Sequence, residues 1–466
     1  MHCTMIYSAE IGVTSDSLGY MRIAEGVSGA SPFFANGKVL SHWPPLYQLS
    51  LAAVSDLFEV SSLASAKILS IILAFFFILL FNILIKNWHK DFRSIFFANL
   101  FLIGSSAIGV FQLALSEGLF MCFLLLLLIL IDKTSKPVHF LFIGALCGLM
   151  VLTRYAGLGI VAGLGLFLLW QFKSIKKIAF LGIGFLISIS PWILFTQWYH
   201  GSVTSREASM HLPAVRHAKG LIGTFYRFIN PSEILWVGLV SILLVTVLVW
   251  WHRRHIITNI MYKKITKHVY TWMAIVYFIF LLISISFFDF KTPLNVRMLF
   301  PVYLIGLLLV INLMKKKVFV ELGIKTNMAL ALLAIAQVVS AAVHINDFVN
   351  YGEGFTSTEW RTSPTIAIAD DFYARKVYSN AASVLQFYGV KKAIGIPAKV
   401  NPKTTEPLLD YKAKYAQMII EVQQEEAVII LLTNKKWWYY LPSLEDLSLS
   451  LSESKKQMLK DGIIYY

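Results

Sequence analysis

Ten apolar stretches recur along the chain, at 63–85, 94–114, 117–131, 140–157, 158–172, 178–197, 235–251, 269–288, 298–314 and 327–344. Such runs constrain a polypeptide strongly, because a segment in lipid must satisfy its backbone hydrogen bonds within the chain, which favours helices. Several are shorter than the roughly 20 residues that cross a hydrocarbon core. The pairs over 94–131 and 140–172 turn with little polar loop between them. Hydrophobic residues make up 57% of the chain and charged residues only 14%, against about 25% charged in soluble domains. An all-α polytopic membrane domain of about ten spans is therefore expected over 63–344.

Charge orients these spans. The connections 86–93, 132–139, 173–177, 252–268 and 315–326 hold 17 Lys and Arg against 3 Asp and Glu, whereas residues 1–62 hold 2 basic and 5 acidic residues. Cytoplasmic loops are enriched in Lys and Arg, so the first set is assigned to the cytoplasm. Residues 1–62, 198–234, 289–297 and 345–466 then share the extracytoplasmic side. The net charge of +15 is a topology signal on this account, and no nucleic-acid partner is expected. The chain begins outside with no basic n-region and apolar h-region in its first 30 residues, so a first membrane span is expected to be missing. Three cysteines, Cys3, Cys122 and Cys147, are too scattered for a disulfide framework or a zinc site.

Two soluble parts flank the spans. Residues 1–62 form a first extracytoplasmic loop with short helices expected over 17–27 and from Pro44 to Phe58, the second lying along the membrane surface. Residues 345–466 alternate between strand-like and helix-like stretches. Strands are expected at Lys376–Ser379, Lys392–Ile396, Ala427–Leu432 and Gly462–Tyr465, with helices over Asn380–Tyr388, Pro407–Gln424 and Ser443–Leu451. That alternation describes a small extracytoplasmic α/β domain.

Polar residues at a membrane edge carry the most information about function, and five segments stand out, all on one side. Asp16, in TSDSLGY with Tyr20, is placed to act as a general base, or simply to cap a helix. In SHWPPLY, His42 precedes a rigid double proline, while Trp43 and Tyr47 read best as interfacial belt aromatics. Glu117, in LALSEGLF, must face protein or water, as a functional acid or a turn cap. Arg154, in VLTRYAGLG, needs a partner or an anionic ligand. A guanidinium fork suits phosphate, and an ion pair with Glu117 or Asp16 is the competing explanation. Arg297, in DFKTPLNVRMLFP with Lys291 nearby, runs against the positive-inside trend. The loop 198–234 adds His200, Arg206, His211, Arg216, His217, Lys219 and Arg227, either as an anionic head-group site or as solvated charge. Phosphate-loop, HExxH and CxxC motifs are absent.

Taken in order, these pieces resemble a family pattern. A first-loop Asp16 with Tyr20, a segment ending in PPLY, an SE-x-LF turn, an LTR-x-x-G helix end and an R-x-L-x-P helix start follow one another. The tail carries Tyr378-Ser379-Asn380 before a helix and Ile396-Pro397 after it. This order resembles the integral-membrane glycosyltransferases of GT-C fold, in the branch of protein O-mannosyltransferase-like enzymes, bacterial lipid A aminoarabinose transferases and lipopolysaccharide core glycosyltransferases. The resemblance implies a multi-pass protein of the bacterial plasma membrane, working on its extracytoplasmic side. It also implies a polyprenyl-phosphate sugar donor and a glycan, lipid or protein acceptor. Asp16 matches the family's essential first-loop carboxylate, although family members often have two adjacent acids where this chain has Asp16-Ser17. Tyr20, His42, Glu117, Arg154 and Arg297 are the expected substrate-binding residues. The pattern makes no cofactor certain; a divalent metal is one option, since Asp, Glu and His gather on one side, but nothing has ligand spacing. A transporter or flippase of lipid-linked saccharide is the competing class, together with an inactive relative that only binds lipid-linked glycans. The first lacks an inverted repeat, paired broken helices and mid-membrane polar residues.

Overall fold

The computed structural model describes residues 10–28, 34–35, 38–39, 42–133, 136–200, 209–230, 238–239, 243, 265–313, 324–372, 374–435 and 437–466. The first loop holds α1 (Ser15–Ser28), two short strands, β1 (Phe34–Ala35) and β2 (Lys38–Val39), and α2 (Leu46–Phe58). The helical domain follows with α3 (Ser62–Trp88), α4 (Phe92–Ile103), α5 (Glu117–Lys133), α6 (His139–Thr153), α7 (Gly157–Phe167), α8 (Ile175–His200), α9 (Val215–Ile229), α10 (Val269–Phe287), α11 (Val296–Leu313) and α12 (Ile324–Tyr351).

Four of these helices are long and apolar enough to cross a bilayer: Ser62–Trp88, Ile175–Tyr199, Val269–Phe287 and Ala331–Tyr351. At a rise of 1.5 Å per residue, α3 is about 40 Å long. Large apolar side chains such as Phe75 and Leu194 stay more than half exposed on these helices, as lipid-facing side chains do. By contrast α5 buries side chains on every face, from Phe120 to Ile129, and forms the centre of the bundle. The chain is thus an integral membrane protein. Nine of the ten apolar stretches fall on helices, and the tenth, 235–251, lies almost wholly outside the described residues.

One expected straight span, 94–114, is broken. α4 ends at Gly104 and the chain turns by 63° into a 3-10 segment, Ser106–Gln112. The cause is not local. A Cβ at Gly104 would lie 2.6 Å from the Gln337 side chain, so α12 crosses the turn at close range. Beyond the 3-10 segment the backbone leaves helix altogether and pairs with the first loop. Gly12 N–H donates to Gln112 O at 2.8 Å and Ala114 N–H to Gly12 O at 2.9 Å. The next residue, Val13, pairs with Gly354, and Phe355 N–H donates to Val13 O at 2.6 Å. Gly354 is needed there: its φ is +63°, and a Cβ would sit 2.2 Å from Val13 O.

Two helix pairs approach through glycines spaced four apart. Gly144 and Gly148 of α6 face α8, where a Cβ at Gly144 would lie 2.0 Å from Leu181 O. Gly159 and Gly163 of α7 face α10, where their Cβ atoms would lie 2.8 Å from Tyr277 Cα and 2.7 Å from Met273 Cα. Helices in lipid have little hydrophobic drive to associate, so backbone contact through small residues does that work.

The tail begins with the short helices α13 (Thr358–Arg361) and α14 (Pro364–Ala369). It continues with β3 (Lys376–Ser379), α15 (Ala382–Phe387), β4 (Ala393–Gly395), α16 (Tyr411–Gln423), β5 (Ala427–Leu432), α17 (Leu444–Ser450), β6 (Lys456–Leu459) and β7 (Gly462–Tyr465). The sheet order is β4-β3-β5-β7-β6, with β4, β3 and β5 parallel and β7 and β6 antiparallel. All six residues of β5, the central strand, are buried. Val428 and Ile430 pack on one face with Val13 and Met21 of the first loop, and Ile429 and Leu431 on the other with Met418 and Val422. β6 was not expected, because its exposed, lysine-led sequence has the composition of a loop rather than a core strand.

Candidate functional site

The site is built at helix ends. Thr14 and Ser17 cap α1 reciprocally: Thr14 N–H donates to Ser17 Oγ at 3.0 Å and Ser17 N–H to Thr14 Oγ1 at 3.3 Å. The capping alternative for Asp16 therefore falls to its neighbours, and the Asp16 carboxylate is left facing a cavity. Glu117 opens α5, Arg154 ends α6 and Arg297 lies in the first turn of α11. An acid at a helix start and a cation at a helix end are favoured by the helix dipole, whereas Arg297 at a helix start is not. Its charge is offset by two carboxylates.

Glu117 Oε1 forms an ion pair with Arg154 Nη1 at 2.6 Å and accepts from Arg297 Nε at 2.7 Å, and Arg297 Nη2 reaches Asp16 Oδ2 at 3.3 Å. The four groups form a neutral chain in which exposure rises step by step, from 2% at Glu117 through 12% at Arg154 and 20% at Arg297 to 39% at Asp16. The most buried carboxylate thus anchors both guanidinium groups, and the most accessible one ends the chain. Arg154 also donates to Ser116 Oγ at 3.4 Å and contacts the Met298 sulfur at 3.3 Å, a weak acceptor.

Aromatic rings close the other side. Tyr20 packs edge-on against Trp43 at 5.5 Å and Tyr47 at 5.2 Å, and its hydroxyl lies 3.5 Å from Ser116 Oγ. Burial, with Asp16 and Glu117 nearby, pushes the Tyr20 phenol well above its ordinary range. Trp43 fits only because position 19 is glycine, where a Cβ would meet its ring at 2.5 Å. The belt expectation for Tyr47 and Trp43 is corrected here. Tyr47 is 1% exposed and packs against Tyr20, and Trp43 lines the cavity. His42 stands beside Trp43 at 5.0 Å, with its Nδ1 3.5 Å from Lys403 Nζ.

Asp16, Tyr20, His42, Arg154 and Arg297 all line one cavity of about 400 Å³, and Glu117 lies behind its wall. Its remaining boundary is mixed. Asp289, Thr292 and Ser284 are polar, while Leu158 of α7 and Phe280, Leu281 and Ile285 of α10 make an apolar flank. Reasoning on sequence did not single out Ser116, Met298 or Asp289. The capping pair did have a signal, since Thr14-x-x-Ser17 has capping-box spacing.

Two of the described basic residues of 198–234, Arg216 and His217, pack against the 289–292 loop. Arg216 lies over the Phe290 ring at 4.1 Å. His217 Nε2 contacts Phe290 O at 3.0 Å, and its Nδ1 accepts from Ala214 N–H at 2.9 Å. These contacts dock α9 onto the loop that leads to Arg297. Arg206 lies outside the described residues.

The carboxylates of the site are engaged by guanidinium groups. Arg154 and Arg297 occupy Glu117 Oε1, Arg297 occupies Asp16 Oδ2, and no group of three metal-ligating side chains occurs among the described residues.

No protein-family profile matches the chain, and no curated protein matches it. Solved structures do. The crystal structure of ArnT from Cupriavidus metallidurans bound to undecaprenyl phosphate superposes with a TM-score of 0.59 at 11% identity, covering 100% of this chain and 96% of that one. The same protein in its apo state gives 0.57 at 11% identity over 99% and 95%. The Archaeoglobus fulgidus oligosaccharyltransferase, in complex with Zn and sulfate, gives 0.50 at 13% identity over 91% of this chain and 64% of that one. The chain has the GT-C fold, here apolar helices followed by a small C-terminal α/β domain.

Proposed function

We propose that the protein is a membrane glycosyltransferase that moves a sugar from a polyprenyl-phosphate donor to a hydroxyl of a glycan, lipid or protein acceptor. The observation that carries this reading is the graded chain Glu117–Arg154/Arg297–Asp16 at the wall of one cavity. It sets an accessible carboxylate beside guanidinium groups held by a buried one. The fold shared with an ArnT bound to undecaprenyl phosphate supports the donor class.

In this reading Asp16 accepts the proton of the acceptor hydroxyl as its oxygen attacks the anomeric carbon. The bond from that carbon to the phosphate oxygen breaks, and its electron pair leaves on the lipid phosphate. Arg297 and Arg154 meet the developing charge, as fixed cations do at other phosphoryl leaving groups. A lipid phosphate leaves well, so no strong acid is required. The apolar flank of Leu158, Phe280 and Ile285 offers the isoprenoid tail a way in from the bilayer. Tyr20, Trp43 and His42 line the side facing the sugar. The Lys- and Arg-rich connections between the apolar stretches support an extracytoplasmic site in a plasma membrane.

The test is glycosyl transfer in membranes, using a panel of radiolabelled polyprenyl-phosphate sugars with wild type beside Asp16→Asn. Transfer that disappears in the variant supports the reading. Correctly inserted wild type that transfers from no donor sinks it.

A further inference from the structure

A second cavity, of about 740 Å³, opens in the soluble tail beyond the carboxyl ends of its parallel strands. Ser379 ends β3 and Asn380 follows it, Ile396 follows β4 and Lys435 lies beyond β5, and all four line it. In the order β4-β3-β5 the chain leaves β3 for one neighbour and later returns to the other side. Such reversals leave a crevice at the carboxyl edge, where open parallel sheets bind their ligands. Asn380 fixes its geometry by tying the ends of β3 and β5 together. The side chain donates to Leu432 O and accepts from Leu432 N–H, both at 2.9 Å.

The lining has a distinct chemistry. Its charged side chains are Lys291 and Lys435, and no carboxylate lines it among the described residues. Lys291 Nζ donates to Tyr440 Oη at 3.1 Å and lies 5.2 Å from the Trp438 ring. Lys435 Nζ lies 6.0 Å from the Phe355 ring. Burial and the charge of Lys291 hold the Lys435 ammonium below the usual lysine range. Trp360, Trp438 and Tyr440 add aromatic surface to the lining, with Ser383 and Gln386 adding polar groups. Aromatic surface beside hydroxyl and amide groups suits a sugar, and two ammonium groups in a lining without a carboxylate suit an anion, Glu359 acting on Lys435 from outside that lining.

We propose that this cavity binds an acidic saccharide, phosphorylated or carboxylated, as the non-reacting part of the acceptor. The role as acceptor rests on the Asp16 cavity being the transfer site. The two cavities share a partition: Thr14 and Ser15 line the second and Asp16 the first, while Lys291 lines the second and Asp289 and Thr292 the first. A saccharide held in the second cavity thus has its far end directed at the segment that bears Asp16.

The test is calorimetric titration of the full chain in detergent micelles. The probes are a phosphorylated trisaccharide, a uronate-containing tetrasaccharide, the matched neutral trisaccharide and inorganic phosphate. Acidic saccharides are expected to bind about tenfold or more tightly than the neutral one, and Lys435→Gln and Lys291→Gln each to weaken them by about tenfold. Lys435→Arg is expected to keep the binding, which separates lost charge from lost folding. Equal binding of neutral and acidic sugars, no saturable heat with any saccharide, or no effect of either Gln variant overturns the proposal. Phosphate binding as tightly as the phosphorylated sugar overturns its saccharide part. Asp16→Asn is expected to bind as wild type does. Binding that persists while no donor supports transfer would sink the transfer reading and leave this ligand class standing.

Discussion

Arg297 and Asp16 are 281 residues apart in sequence and 3.3 Å apart in space. Their contact is the accessible end of a charge chain whose buried end is Glu117. The two ends should respond to mutation in different ways.

At the accessible end, Asp16→Asn should remove function with little effect on folding. Partly exposed ion pairs contribute about 1 kcal/mol or less, and Asn keeps the volume. Loss of a positioned general base costs about 100-fold or more in rate. Transfer assays and thermal unfolding of the same preparations check both halves of the statement. A destabilised variant with normal turnover per folded molecule would contradict it.

At the buried end the order reverses. Glu117→Ala leaves Arg154 and Arg297 without their shared carboxylate, and stranding a buried charge costs about 3–5 kcal/mol. Unfolding in detergent should show that loss. Adding Arg154→Met to Glu117→Ala should recover part of it, because one stranded guanidinium is then gone. A double variant no more stable than the single would mean that the pair is not the source.

Packing between α7 and α10 gives a control inside one helix. Gly163→Leu must push against Met273 Cα, whereas a Cβ at Gly165 meets nothing within 4 Å. Overpacking typically costs about 1–3 kcal/mol. Gly163→Leu should therefore lower the unfolding temperature, and Gly165→Leu should not. Equal effects would show that α7 and α10 do not pack through Gly163.

His217 links stability to pH. Its Nδ1 accepts from Ala214 N–H, so the folded ring is neutral, and burial with Arg216 beside it holds its pKa below the usual value. The stabilisation is fully present above the unfolded value near 6.5 and is lost as the pH falls through the lower folded value. Acidification should loosen α9 from the 289–292 loop, seen as faster amide exchange at Phe290 and Lys291. His217→Gln should flatten that dependence. A wild-type exchange profile indifferent to pH across this range would refute it.

The helices were legible because their signal is local. Apolar length and the basic clusters of 86–93 and 173–177 can be read without knowing any partner. The break at Gly104 was not legible, because it depends on Gln337 crossing from α12 and on Gly12 pairing beyond it. At the candidate site, residue types at membrane edges singled out Asp16, Glu117, Arg154 and Arg297. The order in which they pair is a fact about three-dimensional placement, and no spacing encodes it. The glycine pairs at 144/148 and 159/163 are a different case. Their four-residue spacing was visible, and its meaning lay in helix packing rather than chemistry.

The ladder that joins Leu113, Gly12, Val13 and Gly354 also has a temporal consequence. Chains fold broadly from the N-terminus during synthesis. Asp16 precedes the helical bundle in the chain, yet the strand-like clamp just before it closes on Gly354, which follows α12. The carboxylate is therefore held in register only after the bundle has been inserted and the tail has docked. Membrane insertion is completed before the cavity exists, so a half-made chain has no assembled site around Asp16.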